Sequence, residues 1–109
     1  MKLQRIATIG LSPLQEQVVI AALAAISKRN TVRFIRTDPA TADILVLDGL
    51  SLESRAAVWT YADDPARSFL LIGGDRAIRH ARIRRIESPL SVRPVAALLR
   101  NLCAAQAAA

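Results

Sequence analysis

The chain has 109 residues, 52% of them apolar, which is enough for one core and too few for two ordinary domains, so a single domain over 1–109 is expected. Its 15 Lys+Arg against 9 Asp+Glu give a net charge of +6, nearly all from arginine, and this favours anionic partners: phosphates, acidic protein faces or nucleic acid. The lone Cys103 excludes an intrachain disulfide and a cysteine-built metal site; with no signal-peptide core after Met1, and an apolar run at 18–26 well short of the roughly 20 residues of a membrane span, a cytoplasmic protein without membrane insertion is expected.

In chain order, Ile6, Ala7, Thr8 and Ile9 form a short first strand. Ser12 and Gln15 have capping-box spacing and Pro13 suits a first helical position, so a helix begins there. Val19, Leu23 and Ile26 recur at helical spacing, with Leu14 and Val18 on an adjoining stripe, and the helix ends at Lys28, Arg29 and Asn30. Residues 31–36 read as a second strand, stopped by Asp38 and Pro39. Ile44, Leu45, Val46 and Leu47 show no alternation, as a central parallel strand buried on both faces requires, and Asp48 ends the run. Ser51 caps a helix over 52–62, and 68–72 is a second fully apolar strand closed by Gly73 and Gly74. An arginine-rich stretch with the only histidine, His80, leads into an edge strand through Ile83 and Ile86. Ser91 caps a last helix over 92 to about 105, with Val95, Leu98, Leu99 and Leu102 inward, and 104–109 is a flexible or helical tail.

Strands alternating with helices through short connections predict an α/β fold: an open parallel five-stranded sheet in the order 2-1-3-4-5 with right-handed crossovers. The connections 37–43 and 73–82 are so lean that the second and fourth helices are expected to shrink to a turn or two. The sheet face they share with the 52–62 helix is then expected to be thinly covered, and a homodimer or docking to another signalling domain would bury it. Arg55, Val58, Trp59 and Ala62 are the interface candidates.

Asp48, at the end of the central strand, faces the crevice where open α/β sheets place ligands, beside Gly10, Ser12, Gly73 and Gly74. The helix start after Gly10 could accept an anion there, although turn geometry alone explains the glycines. Arg76, Arg79 and Arg82 recur every three residues, with Arg84 and Arg85 just beyond, which suits phosphate or a cyclic dinucleotide; the alternative is a solvated basic rim. One histidine and one cysteine give no metal-ligand set, and no cofactor is expected. Few aromatic residues and no recognisable DNA-binding module argue against nucleic acid.

The segment Ala42-Asp43-Ile44-Leu45-Val46-Leu47-Asp48-Gly49 resembles the third strand of response-regulator receiver domains, and Ser88-Pro89-Leu90-Ser91-Val92-Arg93-Pro94-Val95-Ala96-Ala97-Leu98-Leu99 resembles their last strand-to-helix junction. The resemblance covers nearly the whole chain and implies a flavodoxin-like fold with Asp48 at the phosphoacceptor position. Gly10-Leu11-Ser12 stands where the family has an acidic pair, Gly73 where it has a hydroxyl residue and Ser88 where it has a lysine. The expectation is a pseudo-receiver that is not an enzyme, serving as a regulatory or protein-interaction module of a bacterial-type signalling system. Two alternatives stay open: a module binding an anionic nucleotide through Arg76–Arg85, and a phosphoacceptor receiver using Asp48.

Overall fold

Two unbroken apolar runs hold the centre of the structure, a computed structural model that describes residues 2–29, 32–49, 51–61, 64, 66–73, 83–87 and 90–108, with backbone alone at Lys2, Arg29, Leu52, Ser54, Trp59 and 105–108. The elements are β1 (Lys2–Ile9), α1 (Pro13–Arg29), β2 (Val32–Arg36), a 3-10 turn (Pro39–Thr41), β3 (Ile44–Asp48), α2 (Leu52–Tyr61), β4 (Ser68–Ile72), β5 (Ile83–Ile86) and α3 (Val92–Ala108). All strand pairs are parallel, in the order β2-β1-β3-β4-β5. This is the predicted topology, that of a flavodoxin-like fold.

Alternation along the strands divides the core in two. Ile6, Ile44, Val46, Leu70 and Ile72 face α1 and α3, which contribute Val19, Leu23, Ile26, Val95, Leu99 and Leu102. Ala7, Ile9, Leu45, Leu47, Phe69 and Leu71 face α2, which contributes Ala57 and Val58. The start of α1 is the predicted capping box: Ser12 donates its N–H to Gln15 Oε1 at 2.8 Å, and Gln15 donates its N–H to Ser12 Oγ at 3.2 Å. Leu14 departs from the expected stripe and is 71% exposed, because the helical period carries it round to the side of α1 away from the buried Val19, Ala22, Leu23 and Ile26.

The lean connection between β2 and β3 is explained by stagger. β2 pairs with the first half of β1, ending at Ile6↔Arg36, and β3 pairs with the second half, starting at Ile6↔Ile44. The chain leaves β2 at the level where β3 begins, so it only has to cross β1, a lateral step of about 10 Å for two strand spacings. The 3-10 turn suffices. Thr37 N–H donates to the Ile6 carbonyl at 3.0 Å and Asp43 N–H to the Arg5 carbonyl at 2.8 Å, fixing both ends of the crossing. The fourth connection lies outside the described residues.

The same stagger corrects the expectation of a thinly covered central sheet. Leu45, Leu47, Phe69 and Leu71 are buried under α2. The bare apolar surface lies instead at the β2 edge, where Leu3 is 49% and Ile35 40% exposed on the side that a full second helix would cover. Arg67 fills part of that gap. Its guanidinium donates to the carbonyls of Pro39 and Ala40 in the 3-10 turn, its Nε donates to Asp64 Oδ2 at 2.9 Å, and it lies 4.5 Å from the centroid of the Tyr61 ring.

Candidate functional site

The carboxyl edge of the sheet is built by backbone that overruns two strands, β3 and β4, by one residue. Gly49 N–H donates to the Ile72 carbonyl at 2.9 Å and Gly73 N–H to the Ile86 carbonyl at 2.8 Å, while Ser51 N–H closes a turn on the Asp48 carbonyl at 3.1 Å. Asp48, paired with Ile72 across the ladder, is half-buried at this edge beside the β1–β3 switch point.

Around Asp48 the local conformation disfavours the groups a phosphoacceptor site uses. Gly10 has φ 70° and Gly73 φ 67°, in the left-handed region that glycine occupies freely. A Cβ on Gly73 would meet nothing within 4 Å, so backbone conformation and not space favours glycine at the position where the resemblance implies a hydroxyl residue. Leu11 packs against the α1 and α3 core layer, an apolar side chain where the resemblance implies a carboxylate. The helix start spends most of its donors on itself: the N–H groups of Ser12, Gln15 and Glu16 bond within the cap and Pro13 has none, which leaves little for an anion there.

A cluster that the sequence reading missed sits at the same edge on the α1 side. Arg36 Nη1 donates to Glu16 Oε2 at 2.9 Å, its Nη2 donates to Thr8 Oγ1 at 2.8 Å and to Glu16 Oε1 at 3.3 Å, and the Thr8 hydroxyl donates to Glu16 Oε1. The signal was faint: a threonine in an otherwise apolar strand and an acid in the first turn of a helix, far apart in sequence. The hydrogen bond from Arg36 lowers the Glu16 pKa from its ordinary 4.5, helped by Thr8 and by the Arg36 charge and opposed by burial. A lowered carboxyl pKa contributes stability that is present above about pH 4.5 and lost as pH falls through the folded value. Glu16→Gln should therefore cost about 0.5–1 kcal/mol at neutral pH, discounted for partial exposure, and nothing in strong acid. Urea midpoints of both proteins across the acid range check this, and a constant difference at every pH would contradict it.

The other candidates are dispersed. Arg76, Arg79 and Arg82, with His80 and Gly74, lie outside the described residues. Arg84 and Arg85 are successive residues of β5, in register with Leu70 and Leu71, and so project from opposite faces of the sheet; they cannot grip one anion together. On α2, Arg55 is exposed, but Val58 is buried under the helix and serves the chain's own core, not a partner. Ala62 lies outside the described residues. Among the described residues, no three His, Cys, Asp or Glu side chains converge as a metal site requires. No helix of the described residues is long and apolar enough to cross a membrane.

No family model matches the chain, and no curated protein or solved structure does either.

Proposed function

We propose that this chain is a non-catalytic pseudo-receiver: a regulatory, protein-interaction module of a bacterial-type signalling system that keeps the receiver frame and has given up phosphoryl chemistry. One observation carries the reading. Asp48 stands at the end of the central strand of a 2-1-3-4-5 parallel sheet, yet the neighbouring β1–α1 turn holds a left-handed glycine, a packed leucine and a closed capping box where metal-binding carboxylates would be needed. Mg²⁺ demands several oxygen ligands in near-octahedral order, and one carboxylate supplies too few. Glu16, the nearest acid on α1, is engaged by Arg36 and Thr8.

Such a module acts through its surfaces, and the α2 side is the one this reading assigns to self-association. Arg55 of α2, with the exposed Leu3 and Ile35 on the same side of the sheet, forms the contact between two copies, and Trp59 is the notable large apolar residue in the sequence of that helix. Apolar area left wet costs about 25 cal/mol per Å², and two-fold pairing is the commonest way of burying it. Sedimentation of the wild type at micromolar concentration should show a dimer, and Trp59→Glu or Ile35→Glu a monomer. A wild-type monomer at high concentration would contradict the pairing.

A further inference from the structure

The opposite layer carries a second surface. α1 and α3 lie side by side on the sheet and leave between them a solvent-open trough of about 820 Å³. From α1 it is lined by Ala21, Ala24, Ala25 and Lys28, a stripe at i, i+3, i+4 and i+7. From α3 come Arg93, Ala96 and Arg100, again at i, i+3 and i+7. Two stripes of that period bordering one trough reproduce the seam into which a third helix packs its own i, i+3, i+4 and i+7 side chains.

We propose that this trough receives an acidic amphipathic helix from a partner protein, with apolar side chains over the alanines and carboxylates against Lys28, Arg93 and Arg100. Alanines leave room for larger side chains to insert. The three cations are exposed and, among the described residues, no carboxylate lines the trough, so its charge is of one sign. The outward side of α1 also departs from that of a solvated helix: Ile20 is 51% exposed and Ala21 and Ala24 are exposed, where charged residues would ordinarily stand. A second copy of this chain is a poor occupant, because the same trough surface on the second copy would set Lys28, Arg93 and Arg100 against themselves. Single-stranded nucleic acid is also a poor fit, since no aromatic residue among those described lines the trough to stack a base. The inference rests on reading the chain as an interaction module, and is independent of how copies pair through the α2 side.

The test uses the full chain and a fluorescent helical peptide with leucines at i, i+3, i+4 and i+7 and glutamates elsewhere, beside a lysine-for-glutamate counterpart and a single-stranded oligonucleotide. Anisotropy should show saturable binding of the acidic peptide and binding at least about tenfold weaker for the lysine peptide, a difference of about 1.4 kcal/mol. Lys28→Glu with Arg100→Glu should weaken the acidic peptide by at least about tenfold, and Ala24→Trp should block it by filling the trough. All three positions are exposed, so the fold should survive, as circular dichroism would show. Absence of binding, or binding unchanged in both variants, would overturn the proposal. So would an oligonucleotide that binds in place of the acidic peptide and is lost in the charge-reversed variant. If Ala24→Trp turned a wild-type dimer into a monomer, the occupant would be a second copy: the helix proposal would fall while the interaction-module reading stood.

Discussion

Arg67→Ala should lower the stability of the domain by about 2–4 kcal/mol, an unusually large loss for a residue outside the hydrophobic core. The side chain is only 12% exposed, and its guanidinium holds the 3-10 turn to the α2–β4 connection through the Pro39 and Ala40 carbonyls and Asp64. Removing it leaves those acceptors without their charged donor and uncovers the Tyr61 ring over which it lies. The magnitude follows from hydrogen bonds to a charged group at about 1.5–3 kcal/mol each, reduced because Asp64 remains partly hydrated. Arg67→Lys should recover only part of the loss, since an ammonium cannot reproduce a planar fork aimed at two carbonyls and a carboxylate. Urea titration measures both variants. A loss below about 0.5 kcal/mol for Arg67→Ala, within the range of an ordinary surface substitution, would mean that the turn holds its place without the arginine.

Phe69→Ala should cost more, about 3–5 kcal/mol, or a large fraction of the roughly 5–15 kcal/mol that stabilises a domain. Phe69 is fully buried in β4, between Leu45 and Ile83 in the register of the sheet, and faces Ala57 and Val58 of α2. The two small residues leave the space that the ring fills. Neither can expand into a cavity at Phe69, so the void persists. Phe69→Leu should lose under about half as much, because most of the volume is kept. Chemical denaturation of the two variants should show that order, and equal losses would indicate that the α2 layer collapses around the site.

Much of the fold was legible because its signals are local. The unalternating runs at 44–47 and 68–72 announced buried parallel strands, and the Ser12, Pro13 and Gln15 triplet announced the start of α1 to the residue. Asp38 and Pro39 marked the lean crossover that became a 3-10 turn. What stayed hidden depends on contacts between distant segments. The first half of β1 reads as polar, because Gln4 and Arg5 interrupt the apolar pattern; only pairing with β2 makes it a strand, and that pairing creates the stagger that displaces the bare surface to Leu3 and Ile35. Arg67 carries no local signal, and nothing short of the fold brings it to the turn. The Thr8, Glu16 and Arg36 cluster likewise joins β1, α1 and β2. The alanine stripe of α1 gains its meaning only with α3 beside it.

The candidate site was legible in part: Asp48 lies where the strand pattern put it. The arginines divide by a rule that the sequence already contained, since neighbours on a strand face opposite ways, yet applying it to Arg84 and Arg85 required the register of β5. The burial of Val58 follows from α2 lying close over β3 and β4, because a helix on a sheet turns its small apolar residues inward.

The most direct test of the central claim is the response of Asp48 to a phosphodonor. With Mg²⁺ and phosphoramidate or acetyl phosphate in excess, intact-mass analysis of the wild-type chain should show no phosphoryl adduct, because the described residues around Asp48 offer too few oxygen ligands to hold the cation at the carboxylate. A stoichiometric adduct that disappears in Asp48→Asn would contradict the account and establish the chain as a working phosphoacceptor.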